Sequence, residues 1–170
     1  MTKVFQAFAL VFVALLAAPP LTAQGVPPAS GSVVLTVTGN VAVTNTQGAA
    51  ELDIDALQLL GTRTIETTTI WTEGVQRFEG VPLDVLVSAL GLTGQTLRAT
   101  AINDYAVDIP MTDATPEGAI VAFRLNEEPM SLRDKGPLWI IYPYDSKADF
   151  RTEVVYSRSI WQRDRLEALD

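Results

Sequence analysis

Most of this chain consists of short apolar runs, rich in β-branched residues, that are bounded by turn-forming residues. Residues 97–101 and 105–109 alternate in polarity on either side of Asn103-Asp104, which predicts a β-hairpin. Similar runs predict further strands at 33–38, 62–71, 120–125, 138–142 and 163–169. Helical patterns are few and short, and no strand–helix–strand rhythm is present. The pattern therefore predicts an α+β domain that is mostly β, with a mixed sheet or a barrel-like core.

Two helices are predicted from their capping residues. Asp53 can cap a helix over residues 54–60 that Gly61 ends. Pro82 suits the first position of a second helix over residues 82–90, which Gly91 ends. Two further segments have weaker patterns. We expect residues 41–44 to continue or pair with the first strand, and residues 157–161 to form one helical turn.

The N-terminus has the order of a secretory signal. Lys3 precedes an apolar run over residues 4–18, which is short for a membrane span, and Leu21-Thr22-Ala23 forms a small-residue cleavage site. The alternative is an uncleaved N-terminal anchor. We expect cleavage after Ala23, a flexible lead-in over residues 24–32, and one domain over residues 33–170. The mature protein would then be periplasmic or secreted, with no stable membrane insertion.

Charge and composition exclude several classes of function. The net charge of −8 disfavours nucleic acids and anionic membrane surfaces as partners. The sequence contains no cysteine and no histidine, so disulfides, thiolate nucleophiles and catalytic triads that need histidine are all excluded. Zinc sites of the usual kind are excluded as well. Any protein-bound metal would need oxygen ligands, which favours calcium, magnesium or manganese, and no metal site is predicted.

Several segments follow one another in the order typical of a known family. They are Gly80-Val81-Pro82-Leu83 at a helix start, then residues 103–110, 122–130, 135–143 and 159–162. Over residues 33–169 this order resembles the oxidoreductase molybdopterin-binding domain, found in sulfite oxidases and periplasmic methionine-sulfoxide reductases. Within that family, the chain resembles small exported members that lack the molybdenum-ligating cysteine. The resemblance implies the sulfite-oxidase fold and molybdopterin as the cofactor.

The sequence departs from that family where the metal would bind. The resemblance places the molybdenum-ligating cysteine at Thr67, Thr68 or Thr69, with Thr68 the best match. A threonine hydroxyl is hard and stays protonated near neutral pH, so it is a poor substitute for a thiolate. Trp139 stands where the family often has an arginine. The N-terminus also lacks the arginine pair that directs folded, cofactor-loaded enzymes to export.

Seven residues are predicted to lie at the cofactor cleft: Thr68, Trp71, Asn103, Tyr105, Arg133, Lys135 and Gly136. Trp71 could stack on a planar ligand, and the loop from Arg133 could bind phosphate or carboxylate through its cations and backbone N–H groups. Each candidate also has a plainer interpretation. The threonines suit an ordinary strand, Trp71 suits the core, Asn103 and Tyr105 suit a hairpin turn, and the Arg133 loop suits a solvated surface.

These observations leave three hypotheses. The first is a non-catalytic protein that binds a small anionic or planar ligand, or an envelope protein partner, in the relic cofactor cleft. The second is a molybdopterin-dependent oxidoreductase with a non-cysteine ligand, or no protein ligand, to molybdenum. The third is a structural interaction module that uses its sheet edge or acidic face.

The signal prediction can be tested directly. When the full chain is expressed with an intact general export pathway, the mature protein should begin at Gln24, because peptidase cuts after the small residue Ala23. N-terminal sequencing and intact mass would check this. A mass that retains Met1 in a membrane-bound fraction would instead establish the uncleaved anchor.

Overall fold

The computed structural model describes residues 26–170, which form two β-sheets with three short helices. The predicted signal at residues 1–23 lies outside these residues. The predicted α+β, mostly β class is confirmed. One sheet is mixed and the other is antiparallel, and within residues 26–170 neither closes into a barrel. No helix in this part of the chain is long and apolar enough to cross a membrane.

The ten strands and three helices are short. The strands are β1 (Leu35–Gly39), β2 (Ala50–Leu52), β3 (Arg63–Thr68), β4 (Val75–Pro82), β5 (Thr96–Ala101), β6 (Ala106–Pro110), β7 (Ile120–Leu125), β8 (Glu128–Pro129), β9 (Trp139–Ile141) and β10 (Arg163–Leu169). The helices are α1 (Ile54–Leu59), α2 (Leu83–Leu90) and α3 (Glu153–Ser157).

The first sheet has the order β2-β1-β10-β5-β6 and is built around the last strand of the chain. β10 pairs in parallel with β1 and antiparallel with β5. A register shift between Arg163 and Arg165 bends β10 at its start, next to the segment that leads out of α3. Leu166 and Ala168 on β10 are buried on the inner face. The C-terminal strand therefore joins the two halves of this sheet.

The second sheet has the order β3-β4-β7-β8, and β9 also pairs with β7. Our prediction omitted β4, because Gly80 and Pro82 interrupt its alternation of apolar and polar residues. Gly80 is required where β4 meets β7, since a Cβ there would lie 2.2 Å from the Val121 carbonyl oxygen. The Gly80-Val81-Pro82-Leu83 motif is thus explained by close strand packing and by the start of α2.

Other elements follow the predictions closely, with two exceptions. The β5–β6 hairpin, β7 and β10 lie where expected, and Asp53 and Gly91 cap α1 and α2 as predicted. The strand prediction for residues 41–44 was wrong, since only Val41 forms a bridge, with Leu92. The helical turn predicted at 157–161 was also wrong. Its helix, α3, lies earlier because the Thr152 side chain caps it by accepting from the Val155 N–H.

The buried carboxylate of Asp53 ties the N-terminal segment to α1. It accepts from the backbone N–H groups of Ser30 and Gly31 at 2.7 Å each, from the Ser30 hydroxyl at 3.2 Å and from the Ala56 N–H at 2.8 Å. The Ala56 N–H and the other donors lower the pKa of Asp53. One side chain therefore both caps α1 and fixes the chain that precedes β1.

We predict that Asp53→Ala lowers the free energy of unfolding by about 1–2 kcal/mol, since it removes a helix cap together with the bonds to Ser30 and Gly31. Urea unfolding at pH 7 would measure the loss. Because the pKa is lowered in the folded state, the charge of Asp53 stabilises the fold above its unfolded pKa, and this contribution is lost as pH falls through the folded pKa. The free energy of unfolding of Asp53→Asn should therefore change less with falling pH than that of the wild type.

The matched control for this test is Asp55→Asn, since Asp55 lies exposed in the first turn of the same helix. It should change the free energy of unfolding by less than about 1 kcal/mol. Equal losses for the Asp53 and Asp55 variants would contradict the role of Asp53.

Candidate functional site

The three tryptophans of the chain meet in one aromatic cluster. The Trp71 ring lies 5.7 Å from that of Trp139 and 5.6 Å from that of Trp161, and the last two lie 6.1 Å apart. Tyr156 adds a fourth ring 5.8 Å from Trp71, nearly perpendicular to it at 89°. Edge-to-face pairs of this kind each contribute about 0.5–1.5 kcal/mol beyond the burial of their area. The cluster therefore holds Trp71 in a defined orientation.

Trp139 is the buried member of this cluster. It has no solvent exposure, and its indole N–H donates to the Ser159 carbonyl oxygen at 3.1 Å. It also forms a bridge with Trp161, which lies at the surface. In the position where the resembled family often has an arginine, this chain therefore has a core side chain that supports the Trp161 segment.

A cleft of about 400 Å³ opens beside the surface-facing members of the cluster. Three parts of the chain meet there: the turn after β3, the tip of the β5–β6 hairpin and the segment between α3 and β10. Its lining consists of aromatic, aliphatic, hydroxyl and amide side chains and contains no charged one. The lining residues are Trp71, Ala101, Asn103, Tyr105, Tyr156, Ser157, Ser159, Ile160, Trp161 and Gln162.

The cleft brings together Trp71, Asn103 and Tyr105 of the seven predicted residues. Asn103 accepts from the Tyr105 N–H at 3.2 Å, and Asp104 between them has a positive φ of 65°. These features hold the hairpin tip in a tight turn. Asn103 and Tyr105 therefore form a hairpin turn, as the plainer interpretation has it, and also line the cleft. Tyr105 is 59% exposed and forms part of the rim.

The inner wall of the cleft carries hydroxyl groups and no strong acid or base. The Ser159 hydroxyl is buried and bonds to the Tyr144 hydroxyl. Burial raises the pKa of Tyr144, so its hydroxyl stays protonated at physiological pH. A cleft with this lining can stack on a planar ring and form hydrogen bonds with its edge, but it lacks a group suited to proton transfer near neutral pH.

Thr68 lies outside this cleft, in a clamp between the end of β3 and the loop after β9. Its N–H and hydroxyl donate to the exposed Asp145 carboxylate at 2.6 and 2.8 Å, and these bonds lower the pKa of Asp145. The buried Thr67 hydroxyl accepts from the Asp145 N–H at 3.1 Å. The expected strand also stops at Thr68, because the Thr69 hydroxyl turns the chain by accepting from the Trp71 N–H at 3.1 Å.

The side chains at this position do not fit molybdenum. The Thr68 hydroxyl is a hard donor that is already bonded to Asp145. No group of three or more acidic residues that could hold a metal ion occurs within residues 26–170. The predicted place of the metal ligand is thus occupied by a structural clamp.

The predicted loop around Arg133, Lys135 and Gly136 lies behind the cleft wall rather than in its lining. The Lys135 Nζ lies 5.5 Å from the Trp139 ring and 5.4 Å from the Trp161 ring, which is cation–π range. Gly136 is buried, and a Cβ there would lie 1.8 Å from the Met130 carbonyl oxygen. Gly136 is therefore needed for close backbone packing, while Arg133 is exposed.

Sequence reasoning did not single out the residues that complete the cleft. These are Ala101, Tyr156, Ser157, Ser159, Ile160, Trp161 and Gln162. The Ser159–Gln162 stretch carried a signal, since it matched the resembled family, but no chemistry in the residues themselves indicated a ligand. Their role depends on the return of the chain from α3 to β10, which local patterns do not reveal.

Comparisons with known proteins support the fold. No protein-family model matches the sequence, and no curated protein sequence matches it. Among solved structures, the chain is similar to the sulfane dehydrogenase SoxCD from Paracoccus pantotrophus, with 20% sequence identity and a TM-score of 0.57. The match covers 80% of this chain and 38% of that one, so this chain spans less than half of the SoxCD chain. At this identity the likeness shows the fold alone, which is the predicted α+β, sulfite-oxidase-like fold.

The clamp makes a testable contribution to stability. We predict that Asp145→Ala lowers the free energy of unfolding by about 1 kcal/mol, a modest figure because the carboxylate is exposed to solvent. Thr68→Val should lower the free energy of unfolding by less than Asp145→Ala does, since the backbone N–H of residue 68 still bonds to Asp145. Chemical denaturation would measure both, with the exposed Asp149→Ala as the control. A larger loss in Thr68→Val than in Asp145→Ala would contradict this assignment.

Proposed function

We propose that this protein is an exported, non-redox binding protein of the sulfite-oxidase-like fold that holds a small planar ligand in the cleft beside Trp71. The observation that carries the proposal is the position of Trp71 and Trp161. Both line the cleft, and both are fixed by edge-to-face contacts with each other and with the buried Trp139. Rigid aromatic surfaces held open to solvent favour the binding of planar rings, because they lose little entropy on binding.

The polar groups of the cleft support the same function. Asn103 and Gln162 offer amide donors and acceptors, and Ser157 offers a hydroxyl near the opening. A few convergent polar groups within an aromatic cleft are the usual means by which a protein orients a small ligand. The lining lacks a nucleophile with an adjacent base, which favours binding over catalysis.

The redox function of the resembled family requires molybdenum, and the chain has no thiolate to hold it. The predicted ligand position is Thr68, whose hydroxyl bonds to Asp145 and which is not part of the cleft lining. A soft thiolate is unavailable anywhere in the chain, since the sequence contains no cysteine. We therefore place a molybdopterin-dependent oxidoreductase second.

The predicted export signal supports a function in the periplasm or outside the cell. Exposed apolar side chains also adjoin the cleft, with Ile70 62% exposed beside Trp71 and Ile102 47% exposed beside Ala101. An envelope protein that delivers or receives the ligand could cover these side chains. The net charge of −8 favours such a partner over nucleic acid.

We predict that a thermal-shift screen with pterins, nucleotides and aromatic acids will find planar compounds that raise the melting temperature, since a ligand that binds only the native state stabilises it. Trp71→Leu should abolish the shift, and Tyr105→Ala should reduce it. The control is Leu59→Ala, an exposed change on α1 that should preserve the shift. A shift that survives in Trp71→Leu would place the ligand elsewhere.

The same preparation separates the two leading functions. Protein isolated from its native envelope should contain molybdenum far below one atom per chain by mass spectrometry, and no pterin fluorescence after denaturation. Stoichiometric molybdenum with released pterin would establish the molybdopterin enzyme and overturn the proposal.

A further inference from the structure

Arg163, the first residue of β10, is a buried guanidinium without a hydrogen-bond partner. It has no solvent exposure, and its Nε, Nη1 and Nη2 atoms all lack an acceptor within residues 26–170. Burial lowers its pKa to about 10, so it still carries a positive charge at neutral pH. A charge buried without a partner destabilises a folded protein considerably, which makes Arg163 the least explained side chain in the core.

Other arginines of the chain have the carboxylate partner that Arg163 lacks. Arg158 pairs with Asp113 at 2.8 Å, and Arg165 donates to Asp104 at 2.7 Å. The neighbouring carboxylate of Asp164 bonds to Arg165 rather than to Arg163. Within residues 26–170 no acidic side chain forms a salt bridge with the Arg163 guanidinium, and Asp164 acts on it only as a nearby charge.

The strand register places Arg163 next to the cleft, although its buried side chain is not part of the lining. Arg163 lies directly opposite Ala101 on β5, and residues opposite each other project to the same face of a sheet. Ala101 lines the inner part of the cleft, and so does Gln162, which precedes Arg163 in the chain. Gln162 is held by a single side-chain hydrogen bond, from its amide to the Leu132 carbonyl oxygen.

We propose that the ligand of the cleft carries an oxyanion, such as a carboxylate, sulfonate or phosphate, which binds the Arg163 guanidinium once the Gln162 side chain moves aside. This inference rests on the proposed function and specifies its ligand. The ring of the ligand would lie against Trp71 and Trp161, and the planar guanidinium would form two parallel hydrogen bonds to the anionic group. Within the cleft lining no carboxylate competes for the cation.

The test compares two probes that share a ring and differ in charge, 2-naphthoate and its uncharged analogue 2-naphthamide. Isothermal titration calorimetry on the mature protein should show 2-naphthoate binding at least about tenfold tighter, since a desolvated guanidinium favours a carboxylate. In Arg163→Met this ratio should fall to about one while the affinity for 2-naphthamide is unchanged. Arg163→Lys should retain part of the preference, because it keeps the charge and loses the fork.

Two controls separate this inference from its alternatives. Arg98→Met removes one positive charge from the exposed face of the same sheet and should preserve the preference. In the absence of ligand, Arg163→Met should raise the melting temperature, because it replaces an unpaired buried charge with an apolar side chain of similar volume. A lowered melting temperature would show that Arg163 is satisfied within the fold and would overturn the inference.

The two proposals fail in different ways. Equal affinities for the two probes in the wild type, or a preference that survives in Arg163→Met, would overturn the anion site and leave planar-ligand binding standing. Binding of neither probe would count against the cleft as a site for planar ligands and would overturn both proposals.

Discussion

The pairing of β10 with both β1 and β5 is the constraint on which the rest of the structure depends. The last strand lies at the centre of its sheet, so within this sheet of residues 26–170 strand pairing connects β1 and β2 to the β5–β6 hairpin through β10. Such pairing is formed between residues far apart in the chain, and its entropy cost is met only when the whole sheet closes. The same pairing carries Trp161, Gln162 and Arg163 to the end of β5. The cleft therefore exists only in the complete fold.

The chemistry of the cleft follows from where charge is placed around it. Its lining is uncharged and largely aromatic, and the charged residues of the hairpin are paired, Arg98 with Asp108 and Asp104 with Arg165 of β10. The Arg163 guanidinium is buried next to the cleft without a hydrogen-bond partner within residues 26–170. In a chain with a net charge of −8, a buried cation beside an uncharged cleft is the basis of the proposed anion site. The position at which the resembled family binds its metal has a structural role in this chain. Thr67 and Thr68 hold Asp145 and so fix the end of β3, from which the chain turns toward Trp71.

The features that could be predicted from the sequence are those that depend on residues close together in the chain. The β5–β6 hairpin, α1 and α2 were predicted because a turn dipeptide or a capping residue acts within a few positions of the element it controls. β4 was missed because Gly80 is selected by its contact with Val121 on another strand, which breaks the local pattern. For the cleft, Trp71, Asn103 and Tyr105 were named in advance through family resemblance. Lys135 and Gly136 proved to pack behind the wall, since their contacts with Trp161 and Met130 are long-range.

By itself, the sequence determined the class of the fold, the capped helices and the lack of any thiolate ligand for a metal, since these depend on composition and on neighbours along the chain. Only the tertiary structure decided that three tryptophans meet, that a neutral cleft opens beside them and that Arg163 is buried without a partner. Each of these arises where distant strands pair. The physical reason is that side-chain burial and electrostatic environment belong to a packed arrangement of the whole chain, whereas propensity and chemical type belong to single residues.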